Sequence, residues 1–151
     1  MSTALPRVRI LVVEDHAATS QAVIKFLELN EYVAEPAFDV ASALKLTTEN
    51  SYDVLICDLN LPDGTGWDLV TQLTQRGPVR AIAFSAFDAR EHITRSREAG
   101  FADYVVKGSG ADALIESIER VMAGEGRLLT PAAKPAARRG RSSATPKESA
   151  S

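Results

Sequence analysis

Glu14-Asp15, Asp58, Ser85 and Lys107 each follow directly on a short apolar run in this 151-residue chain. The runs are Val8 to Val13, Val54 to Cys57, Ala81 to Phe84 and Tyr104 to Val106. Continuous apolar runs predict strands buried on both faces, and in a parallel α/β sheet ligands bind in the crevice at the strands' carboxyl ends. Three carboxylates, a hydroxyl and an ammonium spread over about 90 residues are therefore expected in one pocket. Two carboxylates about 4 Å apart repel by roughly 4 kcal/mol at an effective dielectric of about 20. Such a pocket raises carboxyl pKa values or recruits a cation. Water-accessible oxygen donors suit Mg²⁺, which keeps several waters and takes phosphate oxygens as further ligands. Metal, ammonium and hydroxyl together can neutralise a transferring phosphoryl group. The nucleophile would be a carboxylate, as in aspartyl-phosphate chemistry.

The elements that must bring these groups together are legible as alternation. Apolar runs alternate with amphipathic stretches, the pattern of repeated βα units around a parallel sheet. Tyr32 to Ala37, interrupted by Pro36, predicts an edge strand. The first helix is expected over Ala17 to Leu29, with Val23, Phe26 and Leu27 at helical spacing. Asp39 is expected to cap a second helix running to Glu49, with Val40 and Leu44 inward. Gly66 to Gln75 predicts a third, with Trp67, Val70 and Leu73 at helical spacing. Asp88 is expected to cap a fourth that stops at Gly100. Ala111 to Ala123 predicts a fifth, with Leu114, Ile118, Val121 and Met122 on one face and Gly124 after it. Five strands and five helices in strict alternation define an α/β, doubly wound, five-stranded parallel sheet of flavodoxin-like (βα)5 type. Right-handed crossovers would put helices on both faces.

The bulk numbers agree with one domain plus a tail. The lone cysteine, Cys57, excludes an intramolecular disulfide and suits a small buried apolar residue in a reducing, cytoplasmic setting. The apolar stretch after Arg7 and Arg9 is broken by Glu14 and Asp15, too soon for a signal segment or a membrane span. Net charge is −3, but from Thr130 on five basic residues face only Glu148, so the tail is +4 and the first 129 residues are −7. Pro131 to Ser151 is rich in Ala, Pro, Ser, Arg and Lys, without aromatics or periodicity, and is expected to be disordered. The organisation read from the chain is an N-terminal extension over 1–7, a folded domain over 8–129 and a basic tail over 130–151.

The motifs, taken in order, resemble one family. Val13-Glu14-Asp15-His16, Asp58-Leu59-Asn60-Leu61-Pro62 with Gly66, Phe84-Ser85-Ala86 and Tyr104-Val105-Val106-Lys107 are similar to the receiver domain of bacterial two-component response regulators. The resemblance covers Val8 to Gly124. It implies that Asp58 accepts a phosphoryl group from a phosphohistidine on a sensor histidine kinase or histidine phosphotransfer protein. It implies that Asp15 and Asp58 ligate Mg²⁺ with the Asn60 carbonyl oxygen, and that Glu14 acts through a metal-bound water. Lys107 would pair with Asp58 and then with a phosphate oxygen. Ser85 would hydrogen-bond the phosphate, and Tyr104 would follow by rotating inward. Burying an aromatic ring is worth roughly 1.5–3 kcal/mol, comparable to an allosteric coupling of about 1–3 kcal/mol. A local charge event could thus change the face formed by the fourth helix, fifth strand and fifth helix. Arg90, Arg95 and Arg97 on that fourth helix are read either as solvated surface or as contacts to an acidic downstream protein or to a second copy in a homodimer through that face.

The chain also departs from the family pattern. Gly108 stands where the family has a proline after the lysine, and a cis non-proline bond costs about 2.5–4 kcal/mol, so a trans Lys107–Gly108 bond is expected. Asn60 and Phe87 stand where the family tunes hydrolysis; a Phe87 ring over the phosphate would hinder water and lengthen the phosphoryl lifetime. Val121 to Pro131, His16 and Lys107-Gly108 resemble receivers that precede a LuxR-type helix-turn-helix, yet the chain is expected to lack that output domain.

Each of these residues also has a plainer role open to it. The acidic pair could be a helix-start feature, Lys107 a surface residue, Ser85 a turn residue, and Tyr104, Trp67 and Phe101 packing. His16 and His92 have no metal-ligand partner at suitable spacing. The basic tail could meet nucleic acid through phosphate neutralisation, but lacks aromatics for stacking, and no specific nucleic-acid binding is expected. Nor is a membrane partner or a separate enzymatic turnover. The competing readings are a phosphorylation-independent pseudo-receiver, a haloacid-dehalogenase-type phosphatase and a flavodoxin-like flavin binder. Asn60 disfavours the phosphatase, since that family has a second aspartate there as general acid. The absence of a hydroxyl-rich loop after the first strand disfavours the flavin binder.

Overall fold

The computed structural model describes residues 7–128; the expected extension and basic tail lie almost wholly outside them. The elements are β1 (Arg9–Val13), α1 (Ala17–Leu29), β2 (Val33–Ala37), α2 (Val40–Glu49), β3 (Val54–Cys57), β4 (Asn60–Leu61), β5 (Gly64–Thr65), α3 (Gly66–Thr74), β6 (Ala81–Ser85), α4 (Arg90–Ala99), β7 (Asp103–Val106) and α5 (Ala111–Met122). Five strands form one parallel sheet in the order β2-β1-β3-β6-β7. The order reverses at β1 and β3, which opens a crevice at their carboxyl ends.

The continuous apolar runs exist because both sheet faces are covered. Along β1, Leu11 and Val13 face a core shared with Ala43, Leu69, Val70 and Phe101. Ile10 and Val12 face the other, shared with Val23, Leu27, Leu114 and Ile118. Thus α1 and α5 cover one face, and α2, α3 and α4 pack on the opposite side. Pro36 sits in β2 at the sheet edge, as its missing N–H requires.

The helix starts differ in how well local chemistry marks them. Asp39 and Ser42 form a reciprocal capping box at α2, and Asp63 adds bonds to the Val40 and Ala41 amides. Thr65 accepts from the Asp68 amide at α3. The expected Asp88 cap of α4 is not formed: the cap position is Ala89, without a side-chain bond. Asp88 stands one residue outside it, and the Ala89 carbonyl instead receives the His92 and Ile93 amides. Strict alternation is also broken by the small β4–β5 hairpin after Asp58. Each of its strands has two residues, too few for a period-two pattern to appear.

Among the described residues no helix is long and apolar enough to cross a membrane.

Candidate functional site

The carboxyl ends of β1, β3, β6 and β7 deliver the expected groups to one edge of the sheet. The β1–β3 pairing sets Val13 beside Cys57, so Glu14 and Asp58 emerge side by side. The β6–β7 pairing sets Ser85 beside Val106, immediately before Lys107. Gly66, at the start of α3, permits this packing: a Cβ there would collide with the Asp58 carbonyl oxygen. Asp15, His16, Asp58, Asn60, Leu61, Pro62, Ala86, Phe87 and Lys107 line an open cleft of about 340 Å³.

Lys107 holds the charges together. Its Nζ lies 2.7 Å from Glu14 Oε1 and 3.2 Å from Asp58 Oδ2. The shorter contact is to Glu14, not to the Asp58 partner that the family resemblance implies. Glu14 is buried, whereas Lys107 keeps a quarter of its side chain exposed. Burial opposes ionisation of Glu14, but the Lys107 ammonium and the His16 amide outweigh it, and its carboxyl lies below the ordinary value. Burial and then repulsion by Glu14 push the Asp58 carboxyl up against the attraction of Lys107. Burial disfavours the Lys107 ammonium, but Glu14 and Asp58 more than offset that and raise its pKa. Two neighbouring carboxylates thus have oppositely shifted affinities for a proton.

The donor set fits a hard divalent cation. Asp15 and Asp58 offer carboxylate oxygens at the cleft, and the Asn60 backbone lies beside them, its amide 3.3 Å from Asp58 Oδ1. His16, expected to lack ligating neighbours, departs from that reading. Its Nδ1 is 3.2 Å from Glu14 Oε2 and 3.5 Å from Asp15 Oδ1, and the three residues group closely enough to share an ion. It occupies the α1 cap position without a side-chain capping bond, and its amide donates to Glu14 Oε2 at 3.1 Å.

Ser85 and Tyr104 both hold the backbone of Phe87, one at its N–H and the other at its carbonyl. Ser85 Oγ accepts the Phe87 amide at 3.1 Å, and the Tyr104 hydroxyl donates to the Phe87 carbonyl at 2.6 Å. Tyr104 is buried, with only 6% of its surface exposed. The part played by the Phe87 backbone was not legible, since nothing in residue spacing marks a backbone bridge. The Lys107–Gly108 bond is trans, as expected. Cys57 is fully buried, and burial pushes its thiol far up, so it is a packing residue. Phe101 belongs to the core, while Trp67 is only partly buried and packs against α4.

A five-stranded parallel sheet in this order, with acidic residues at the β1 and β3 ends, a hydroxyl at β6 and a lysine at β7, defines a CheY-like receiver. The family model for the response regulator receiver domain matches residues 10–119, and the chain belongs to that family of two-component signalling proteins. Among curated relatives, it is 29% identical over 126 residues to the transcriptional regulatory protein DegU of Brevibacillus brevis, covering 78% of this chain and 51% of that protein. It is 32% identical over 114 residues to the nitrate/nitrite response regulator NarP of Escherichia coli K12, covering 73% and 53%. The chain therefore spans about half the length of these relatives. Among solved structures, a LuxR-family response regulator from Aurantimonas sp. SI85-9A1 superposes with a TM-score of 0.77 at 27% identity, covering 80% of this chain and 89% of that one. The non-phosphorylated HemR receiver domain of Leptospira biflexa gives 0.71 at 28%, covering 78% and 95%.

Proposed function

We propose that this chain is a phosphoacceptor of two-component signalling, with Asp58 as the nucleophile. A phosphohistidine on a sensor histidine kinase or histidine phosphotransfer protein is the donor. Its P–N bond breaks as a P–O bond to the Asp58 carboxylate forms. The observation that carries this reading is the Lys107 ammonium between Glu14 and Asp58 at a cleft that Asp15 also lines. Asp15, Asp58 and the Asn60 carbonyl would hold Mg²⁺ directly, with Glu14 acting through a bound water; the ion supplies charge neutralisation at the phosphoryl oxygens.

Lys107 adds a second positive charge, and its bond to Asp58 passes to a phosphoryl oxygen. Ser85 turns its hydroxyl to another oxygen and releases the Phe87 amide. The Phe87 backbone then keeps the Tyr104 bond at its carbonyl but loses the one at its N–H, so the state of the phosphate reaches the surface of α4, β7 and α5. Phe87 and Asn60, at the cleft, tune how quickly water removes the phosphoryl group. The chain assists its own phosphorylation and dephosphorylation and turns over no separate substrate. It acts in the cytoplasm through a downstream protein, or a second copy of itself, on the flank of α4 that Arg90 and Arg97 share, whereas Arg95 turns instead to Trp67 of α3, and it reads no nucleic-acid sequence.

The test is the intact mass after incubation with Mg²⁺ and acetyl phosphate, beside an Asp58→Asn variant. One added phosphoryl group is expected, only with Asp58 present and Mg²⁺ supplied. No adduct on the unaltered chain would overturn the reading in favour of a phosphorylation-independent interaction module.

A further inference from the structure

Three aromatic rings run from α3 across α4 to the cleft. Trp67 and His92 have ring centroids 5.7 Å apart, and His92 and Phe87 stack at 5.0 Å with an interplanar angle of 15°. Both separations lie in the range where aromatic pairs attract. The far end of the row is fixed. Trp67 Nε1 donates to Ser96 Oγ at 2.9 Å, and the Arg95 guanidinium lies 4.1 Å from the Trp67 ring centre. Ser96, the one fully buried residue of α4, donates in turn to the His92 carbonyl at 2.7 Å. The near end is Phe87, which lines the cleft with Asp58 and Lys107 and is 46% exposed. A phenyl ring that exposed on a loop has several rotamers open to it unless something holds it.

His92 presents its ring face to Phe87. Its Nδ1 is buried and has no hydrogen-bond partner among the described residues. A buried, unsatisfied nitrogen is unfavourable, so what this residue contributes here is its ring, not its polar edge.

We propose that His92 is a positioning residue for the phosphoryl group on Asp58: by stacking on Phe87 it keeps that ring at the cleft mouth and slows the entry of hydrolytic water. This rests on the phosphoacceptor reading above. Hydrolysis breaks the bond between phosphorus and the Asp58 oxygen; water supplies the new oxygen and the proton, and no residue of the stack is consumed. The device links α4 to phosphoryl lifetime. A partner that shifts α4 alters the stack, and with it the time for which the signal persists.

The experiment loads the full chain with acetyl phosphate and Mg²⁺, removes the donor and follows loss of the phosphoryl mass with time. His92→Ala and His92→Gln are expected to shorten the lifetime by about 2- to 10-fold, the population change that loss of one aromatic pair allows. Loading rates should stay unchanged. His92→Phe, which keeps a stacking ring, is expected to retain the original lifetime. Phe87→Ala should shorten it alone, and adding His92→Ala to that variant should change nothing more, because the two act as a unit. His92→Gln carries the test should His92→Ala fail to fold. An unchanged lifetime in the His92 variants would overturn the proposal, as would equal shortening with and without Phe87. The unaltered chain separates the two levels: no adduct there overturns the phosphoacceptor reading and this inference together, whereas an adduct whose lifetime ignores His92 overturns this inference alone.

Discussion

The fold disfavours a negative charge on Asp58. Burial first, and Glu14 second, push its carboxyl above the ordinary 3.8. A carboxyl raised by folding ionises in the unfolded chain first, so above that pH its charge favours unfolding. Asp58→Asn removes this cost without stranding Lys107, which keeps Glu14 at 2.7 Å. The variant is expected to be more stable at pH 7 by about 0.5–2 kcal/mol, the usual size of a substitution that relieves a functional site. Added Mg²⁺ should raise the unfolding midpoint of the unaltered chain more than that of Asp58→Asn, because binding to the folded state stabilises by mass action. Urea titrations with and without Mg²⁺ measure both; a less stable variant, or equal Mg²⁺ shifts, would contradict the expectation. The strand-end groups themselves were legible because strand ends converge. Lys107's shorter bond to Glu14, His16 beside two carboxylates, and the Phe87 backbone between Ser85 and Tyr104 were not. They depend on rotamers and backbone bonds that residue spacing does not encode.

At the scale of elements, β7 shows why one strand was read incompletely. Its apolar run begins at Tyr104, yet the strand begins at Asp103, which is 0% exposed. A charged residue there looks like a loop until its partners are known. Arg120 of α5 and Arg127 beyond α5 reach its two oxygens at 2.8 and 2.7 Å, and Ser117 Oγ donates at 2.7 Å. Burial would raise the Asp103 pKa, but Arg127, Ser117, the Tyr104 amide and Arg120 hold it below the ordinary 3.8. A depressed carboxyl stabilises the fold above its unfolded value, and that contribution disappears as pH falls toward the folded one. Asp103→Asn is expected to cost about 3 kcal/mol at pH 7, the low end for breaking a buried pair, because both arginines can still reach water. The gap from the unaltered chain should narrow below about pH 4; a gap independent of pH in urea unfolding would refute the ion-pair account. β1, β3, β6 and four of the helices were legible through apolar runs and helical spacing, whereas β2 was read across its Pro36 interruption and α4 only from its two ends. The β4–β5 hairpin and the start of α4 were not: the first is too short to show a period, and the second is set by the Ala89 carbonyl rather than by a capping side chain.

For the whole molecule, the folded unit does not stop where its family match and last helix stop. The match ends at residue 119 and α5 at Met122, but the chain then turns back onto the open edge of the sheet. The Leu128 amide donates to the Ala102 carbonyl at 2.9 Å, and the Leu128 side chain enters the same core as Leu69 and Phe101. Arg127 meets both Asp103 and the Tyr104 carbonyl, so the exit from the domain is tied to the strand that carries the proposed switch. Gly126 allows the approach, since a Cβ there would collide with the Ala102 carbonyl. This return was only partly legible. A domain limit at 129 includes it, but nothing in Gly126-Arg127-Leu128 announces a helix or a strand. Its energetic weight follows from burial. Leu128→Ala removes a core side chain and is expected to cost about 2–5 kcal/mol. A chain ending after Gly124 should lose at least as much, because Asp103 then also loses one of its two arginines. A chain ending after Thr130 retains all of these contacts. Urea unfolding of the three, followed through the single tryptophan Trp67, should rank the Thr130 form well above the other two. Equal midpoints would mean that the return to β7 lies outside the cooperative unit, and that the domain ends with α5.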